Sequence, residues 1–150
     1  KKLSKKLNIK FVDIDQLIEK RENNSIKEIF NAKGENYFRK IEEKTTLEIL
    51  KKNNLIIALG GGAFMNSIIR RKIKNTSISF WLDLSLKFLL PRLKNVKKRP
   101  LINQDKMVDS INKIYSERKK IYNESDFKIN CNSTEIDEVV KKIIKIYENS

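Results

Sequence analysis

The chain has 150 residues, of which 39% are hydrophobic and 35% charged, and its formal net charge is +14. This length and balance predict one soluble domain, residues 1–150, and the absence of His together with the single Cys131 excludes a Ser-His-Asp triad, an imidazole metal site and an internal disulfide. The lysines are scattered singly or in pairs, which favours a solvated surface over a nucleic-acid footprint.

Short β-rich runs alternate with amphipathic helical runs along the chain. The predicted strands are IKFVDID, LIIALGGG, TSISFWLDL and FKINCN. The predicted helices are SIKEIFNAKG, which stops at Gly34, then ENYFRKIEEKTTLEILKKNN, NSIIRRKIKN, SLKFLLPRLK, KMVDSINKIYSERKKIY and TEIDEVVKKIIKIYEN. We expect the long second helix to bury Phe38, Ile41, Leu47 and Leu50. The pattern predicts an α/β fold with a parallel sheet covered by helices on both faces, and ligands at the carboxyl ends of its strands.

The first predicted strand ends in two acidic residues, Asp13 and Asp15. Residues two apart on an extended strand point to the same face, so we expect the two carboxylates to lie together. Such a pair suits Mg²⁺ or one of its waters on one side and a substrate hydroxyl on the other. The alternative is that Asp15 only caps the following helix, and the pair by itself leaves both interpretations open.

The second predicted strand ends in Gly60, Gly61 and Gly62, three of the four glycines in the chain. Glycine permits positive φ and lets a ligand lie directly on backbone N–H groups. A phosphate-binding P-loop needs spaced glycines followed by Lys and Ser or Thr, whereas Ala63 and Phe64 follow here. The run therefore predicts either a ligand-binding turn of another kind or only a tight turn between a strand and a helix.

Three arginines stand out in a chain whose common cation is Lys. Arg39 precedes Glu42 by three positions on a predicted helix, so the carboxylate can orient the guanidinium. Arg99 lies in the polar segment KNVKKRPLI, which we expect to cover the site, and Arg118 lies near a helix end. Guanidinium groups bind carboxylates and phosphates bidentately, although each of these could also form an ordinary surface ion pair.

Taken in chain order, the stretches FVDID, SIKEIF, GENYFRKIEE, IIALGGGA, RPLI and ERKKIY resemble the shikimate kinase family, from about Leu3 to about Asn132. That family has a three-layer P-loop kinase fold with a lid. Its members transfer the γ-phosphate of ATP to the 3-hydroxyl of shikimate, a step toward chorismate and the aromatic amino acids. The resemblance implies ATP and Mg²⁺ as cofactors of this chain and shikimate as its partner.

The resemblance also implies roles for individual residues. Asp15 would hold the shikimate hydroxyls and help to activate the attacking one, and Asp13 would contact Mg²⁺ through water. Arg39 and Arg118 would grip the shikimate carboxylate, while Gly60–Gly62 would lie along the ring.

A lid and a substrate-binding region follow from the same resemblance. The lid would cover about residues 93–106 and place Arg99 against the transferring phosphate, and Arg92 would pack on adenine. The substrate-binding region would cover about residues 15–50, where Phe30 and Phe38 either line the pocket or belong to the core.

The chain departs from the family pattern at two places. Lys120 stands where the family usually has Pro, so we expect the helix to run on past Arg118. The family also has a first strand and a Walker A loop before the helix that KKLSKKLN matches. We therefore expect the sequence to be a fragment without the central strand and the ATP phosphate loop, and the activity of such a chain stays open.

Three other functions remain possible from the residues. The first is a non-catalytic remnant that binds shikimate, the second is another small-metabolite kinase such as gluconate kinase, and the third is a basic nucleic-acid-binding domain. The longest apolar stretch, residues 77–90, is interrupted by Asp83 and Lys87 and is too short to span a bilayer. We expect a cytoplasmic monomer without nucleic-acid or membrane partners.

Overall fold

A computed structural model of the chain describes residues 1–94, 107–132 and 135–150. Strands and helices alternate along these ranges. The strands are β1 (Lys10–Asp13), β2 (Leu55–Ala58), β3 (Phe80–Asp83) and β4 (Phe127–Asn130). The helices are α1 (Lys2–Leu7), α2 (Ile14–Glu22), α3 (Ile26–Ile49), α4 (Ser67–Thr76), α5 (Leu86–Lys94), α6 (Met107–Tyr122) and α7 (Ile136–Glu148), with a 3₁₀ turn at Ala63–Met65.

The four strands form two parallel pairs. β1 pairs with β2 from Lys10 opposite Leu55 onward, and β3 pairs with β4 from Phe80 opposite Phe127 onward. Parallel strands and intervening helices confirm the predicted α/β class. Within the described ranges no ladder joins one pair to the other. A ladder needs strands that run side by side at about 4.8 Å, and the described chain brings only these pairs together in that way.

The junction between β1 and α2 corrects the prediction for Asp13 and Asp15. The strand ends at Asp13, whose carboxylate accepts a hydrogen bond of 3.2 Å from the Gln16 N–H and so caps α2. Asp15 already lies in the first turn of the helix. The two side chains therefore do not share one face of a strand, and Asp13, not Asp15, is the cap.

Helix α3 consists of two segments that meet at Gly34, which confirms the predicted stop. It begins with a capping box, in which Ser25 and Glu28 each bond the backbone N–H of the other. Gly34 has φ 79° and ψ 171°, a conformation that is essentially restricted to glycine. Phe38 and Leu50 are buried as predicted, whereas Ile41 and Leu47 are only half-buried. The charged Glu42 is buried as well.

Among the described residues, the buried hydrophobic side chains form three clusters, which pack the helices against the strand pairs. The cluster under α2 and α3 contains Ile14, Ile18, Ile29, Phe38 and Ile49. The cluster under α4 contains Leu50, Ala63, Phe64, Ile69 and Ile73. The cluster between β4 and α7 contains Ile129, Val139 and Ile143.

Two predictions about helices can be compared with the structure. Helix α6 continues through Lys119 and Lys120 to Tyr122, which confirms that it runs on past Arg118. Across the described ranges, every helix is too short or too polar to cross a lipid bilayer. Most of the predicted lid, including Arg99, falls on residues 95–106 and lies outside the described residues.

We expect Gly34→Ala to destabilise the fold although space is open around it. Apart from its chain neighbours and the backbone of its own helix, no atom lies within 4 Å of a Cβ built at Gly34, so the cost is one of backbone conformation. We expect the free energy of unfolding, measured with urea, to fall by about 1–3 kcal/mol. Asn31→Ala, an exposed change in the same helix, should stay within about 0.5 kcal/mol of wild type. Equal stability of Gly34→Ala and wild type would contradict this account.

Candidate active site

A cleft of about 790 Å³ opens at the carboxyl ends of β1, β2 and β3. Its polar wall comes from α2, α3, the segment after β2 and α6, and contains Asp15, Arg39, Glu42, Gly60, Gly61, Gly62 and Arg118. Its apolar wall comes mainly from β3, α5 and α6, and contains Trp81, Leu82, Leu84, Leu89, Ile111, Ile114 and Tyr122. The location agrees with the rule that ligands of parallel sheets bind beyond the carboxyl ends of the strands.

Three charged side chains pack against the segment Gly60–Gly62, which we call the glycine turn. A Cβ atom on the first glycine would lie 2.5 Å from Asp15 Oδ1, and one on the second would lie 2.6 Å from Arg118 Nη1. A Cβ atom on the third would overlap the Arg39 guanidinium. Because neighbouring Cα atoms are about 3.8 Å apart, the three side chains converge on less than about 8 Å of backbone.

Space, and not backbone conformation, requires glycine at this turn. Gly34 is the glycine with positive φ in the described chain, so none of the three glycines of the turn adopts the left-handed conformation. The third, Gly62, has φ −97° and ψ −26°, which any residue can adopt. From the sequence alone, the glycine run could be a ligand-binding turn or only a tight turn. The structure places three charged side chains of the cleft against this turn.

Arg39 is held in place by an ion pair with Glu42. Its Nη1 donates to Glu42 Oε2 at 2.6 Å, and its Nε and Nη2 both donate to Glu35 Oε1 at 3.2 Å. The Glu42 side chain is 3% exposed, whereas the Glu35 side chain is 46% exposed. The inner contact is thus part of the protein interior, and the outer one faces solvent.

The pKa of Glu42 reflects its place among these charges. Burial raises the pKa of the Glu42 carboxyl above its usual value, and the bond from Arg39 opposes that rise. The Asp15 carboxylate raises this pKa further, and the Arg118 guanidinium lowers it. The four ionised groups therefore act on one another across the polar wall.

Arg118 differs from Arg39 in having no ion pair. Within the described ranges its guanidinium forms no hydrogen bond or salt bridge with another residue. It is half-buried on α6 and packs on the second glycine of the turn. The cleft therefore contains a cation that an anionic ligand can engage without displacing a protein carboxylate.

In the glycine turn the three carbonyl groups accept hydrogen bonds from the protein, whereas the three N–H groups do not donate to described residues. The Gly60 carbonyl accepts from the Ala63 N–H at 3.1 Å, and the Gly62 carbonyl accepts from the Met65 N–H at 3.0 Å. The Gly61 carbonyl accepts from the Tyr122 hydroxyl at 2.5 Å. The N–H groups of the three glycines donate to no residue in the part of the chain that the structure describes, so they are available to a ligand.

Other predicted residues fall in different places. Phe30 and Phe38 both line the cleft, with ring centroids 4.8 Å apart, and Phe38 also belongs to the core. Lys119 lines the cleft and Lys120 does not. Arg92 lies on α5, and the positions of its side-chain atoms are outside what the structure describes.

Sequence reasoning assigned no role to Trp81 and Tyr122. Their rings meet edge to face with centroids 5.9 Å apart in the cleft wall. The spacing of four residues between Arg118 and Tyr122 could have shown that both lie on one side of a helix. No local signal identifies Trp81, because its neighbours come from a different part of the chain.

The described residues fit a hydrated metal ion better than a direct metal site. Within them, no group of three or more Asp, Glu or Cys residues is placed to hold a metal ion. Asp13 offers one half-buried carboxylate at the end of β1, which also caps α2. A single carboxylate suits contact with Mg²⁺ through one of its waters, since Mg²⁺ usually keeps several of them.

The comparisons with known proteins agree on one family. A family model described as shikimate kinase matches residues 1–148. The shikimate kinase of Sulfurihydrogenibium sp. is 40% identical over 142 residues, which are 95% of this chain and 84% of that protein. The shikimate kinase of Aquifex aeolicus is 36% identical over 148 residues, which are 99% of this chain and 86% of that protein.

Shikimate kinases are also among the solved structures that resemble this chain. The enzyme from Acinetobacter baumannii, solved in complex with shikimate, has a TM-score of 0.92 and 26% identity, with coverage of 98% of this chain and 83% of that one. The enzyme from Aquifex aeolicus has a TM-score of 0.85 and 37% identity, with coverage of 98% and 86%.

We expect Gly62→Ala to separate Arg39 from Glu42 and to destabilise the protein in a pH-dependent way. The added Cβ displaces the guanidinium and leaves a buried carboxylate without its partner, so we expect a loss of about 2–3 kcal/mol at neutral pH. Because burial raises the pKa of Glu42, its carboxyl takes up a proton at a higher pH than an exposed glutamate does as the solution is acidified. The loss should shrink as the pH falls, since a neutral carboxyl no longer needs the cation.

Gly34→Ala is the matched control for this measurement by urea unfolding. It makes the same change at a site where, apart from the adjacent Lys33 and Glu35, a Cβ meets no atom within 4 Å, so its cost should depend little on pH. A pH-independent cost of Gly62→Ala would show that the Arg39–Glu42 pair is not what the third glycine protects.

Proposed function

The chain belongs to the shikimate kinase family, and we propose that its cleft binds shikimate at the glycine turn as the acceptor of the γ-phosphate of ATP. The product of this ATP-dependent kinase reaction is phosphorylated at the 3-hydroxyl, and it leads toward chorismate and the aromatic amino acids. The observation that carries the proposal is the convergence of one carboxylate and two guanidinium groups on a turn without side chains.

In this proposal the shikimate carboxylate binds between Arg118 and Arg39. Arg118 supports this role because it has no ion pair in the described ranges and its fork suits a planar carboxylate. Arg39 keeps its buried contact with Glu42, and the substrate carboxylate takes the place of the exposed Glu35. A ligand anion thus replaces a weak solvent-facing pair and leaves the strong one intact.

The hydroxyl groups of the substrate bind at the opposite end of the turn. Asp15 packs on the first glycine, and it lies in the first turn of α2, where the helix dipole favours a carboxylate. We assign it to hold the shikimate hydroxyls and to accept the proton of the attacking one. The ring then lies along Gly60–Gly62, whose N–H groups donate to no described residue.

The nucleotide side of the reaction rests on fewer described residues. Mg²⁺, when bound with ATP, would supply positive charge that offsets the charge on the phosphates. Asp13 is the residue we assign to its hydration shell, as the fit of a single carboxylate supports. The roles of Arg92 on adenine, of Arg99 at the transferring phosphate and of a lid at about residues 93–106 stay predictions.

Several broader assignments stay predictions as well. We propose a single kinase-like domain in which about residues 15–50 form the substrate-binding region, and the contribution of Asp15, Phe30, Arg39 and Glu42 to the cleft wall supports that region. A cytoplasmic location, a monomeric state and the absence of nucleic-acid and membrane partners are proposed on the residues alone.

Titration calorimetry with shikimate tests the proposed function directly. We expect saturable binding that Arg118→Ala weakens by more than about tenfold, because a charged hydrogen bond to the carboxylate is lost. Lys120→Ala is the matched control, since it removes the same charge from the same helix outside the cleft and should leave binding within about twofold of wild type. Equal weakening by both variants would mean that net charge, and not the site, attracts the ligand.

Two further arms of this experiment separate the alternatives. Gluconate offered in place of shikimate should not bind, and preferential binding of gluconate would favour another kinase of the same fold. Formation of ADP in the presence of ATP, Mg²⁺ and shikimate distinguishes a kinase from a protein that only binds shikimate.

Asp15→Asn tests the assignment of the proton acceptor. The amide keeps the size and the hydrogen-bonding capacity of the side chain but cannot take up a proton. We expect the rate of ADP formation at saturating shikimate to fall by about 10²–10⁴-fold, with a smaller change in shikimate affinity. Asp137→Asn, an exposed change on α7, is the control and should retain the rate. A rate within a few-fold of wild type would remove Asp15 from this role.

A further inference from the structure

We propose that Tyr122 is a positioning residue for the acceptor site, which holds the Gly61 carbonyl and so keeps the glycine turn in register with Arg118. The predicted effect on shikimate affinity rests on the proposed function. The claim that Tyr122 holds the glycine turn in place rests on the geometry alone.

The hydrogen bond of Tyr122 joins two elements that are distant in sequence. Its hydroxyl donates to the Gly61 carbonyl at 2.5 Å, across 61 residues of chain. Arg118 stands four residues earlier on α6 and packs on the same glycine, with Nη1 2.6 Å from the position of a Cβ. Two residues of α6 thus contact Gly61. The Arg118 guanidinium packs against it on the cleft side, and the Tyr122 hydroxyl binds its backbone carbonyl.

The Tyr122 ring is itself fixed from two sides. It meets Phe64 edge to face with centroids 6.1 Å apart, and it meets Trp81 in the same manner at 5.9 Å. Phe64 is 8% exposed and Trp81 is 9% exposed, so both partners belong to the packed interior. Because the ring cannot move freely, the hydroxyl is a fixed point to which the turn is attached.

The bond also completes the acceptors of the turn. The carbonyls of Gly60 and Gly62 are used by the turn's own bonds from Ala63 and Met65, and Tyr122 supplies the donor for the one between them. Without the hydroxyl, that carbonyl is free to rotate and to carry the neighbouring N–H groups with it. Those N–H groups are the ones that the proposed function directs at shikimate.

Tyr122→Phe removes the bond and leaves the ring packing in place. We expect the Kd for shikimate to rise by about five- to tenfold, as the loss of one neutral hydrogen bond predicts. The rate at saturating shikimate should stay within about twofold, because the hydroxyl is engaged with the Gly61 carbonyl and takes no part in the proposed phosphoryl transfer. Tyr147→Phe, the same change at an exposed position of α7, is the control and should not alter Kd.

Amide hydrogen exchange of the ligand-free protein provides a second measurement that does not depend on shikimate. If Tyr122 holds the turn, the amides of Ala63 and Met65 should exchange several-fold faster in Tyr122→Phe than in wild type and should be unchanged in Tyr147→Phe. Unchanged exchange in Tyr122→Phe would overturn the positioning role.

The two measurements separate this inference from the proposed function. If wild type does not bind shikimate but exchange at the turn is accelerated in Tyr122→Phe, the proposed function fails and the positioning role stands. If wild type binds shikimate and Tyr122→Phe binds it equally well, the positioning role is overturned and the proposed function stands.

Discussion

Room at the glycine turn is the constraint on which the site depends. Asp15, Arg118 and Arg39 come from three helices, and each ends where a side chain of the turn would otherwise stand. Any larger residue would push one of the charged groups away from the common centre. The turn therefore sets how closely a carboxylate and two cations can approach one small ligand. The helices place the three side chains beside the turn.

The electrostatic balance of the cleft follows from this crowding. Burial of the Glu42 carboxylate costs desolvation free energy, which is why its pKa is raised. The ion pair with Arg39 offsets part of that cost. A buried pair of this kind adds little net stability, but it holds a guanidinium in one orientation. Arg118 forms no ion pair in the described chain, so its guanidinium can bind an anionic ligand without first losing a protein partner.

Much of the fold could be predicted because its signals are local. The capping pattern of Ser25 and Glu28 marks the start of α3, Gly34 interrupts it, and the alternation of strands and helices indicates parallel pairing. The alternation does not indicate which strands become neighbours, and the structure shows the pairs β1–β2 and β3–β4 within the described ranges. The sequence pattern also did not show that Asp13, and not Asp15, caps α2. The reason is that β1 ends at Asp13, two residues earlier than the pattern indicates.

The sequence by itself determined which residues have the right chemistry: an acid after β1, a glycine run after β2, and arginines on α3 and α6, in an order that resembles one family. Only the tertiary structure decided how these residues pair. Each glycine faces a different charged side chain, Arg39 is paired while Arg118 is not, and Tyr122 holds the turn through a contact across 61 residues. The reason is physical: residue type and helical spacing fix local geometry, whereas contacts between distant segments depend on how whole elements pack.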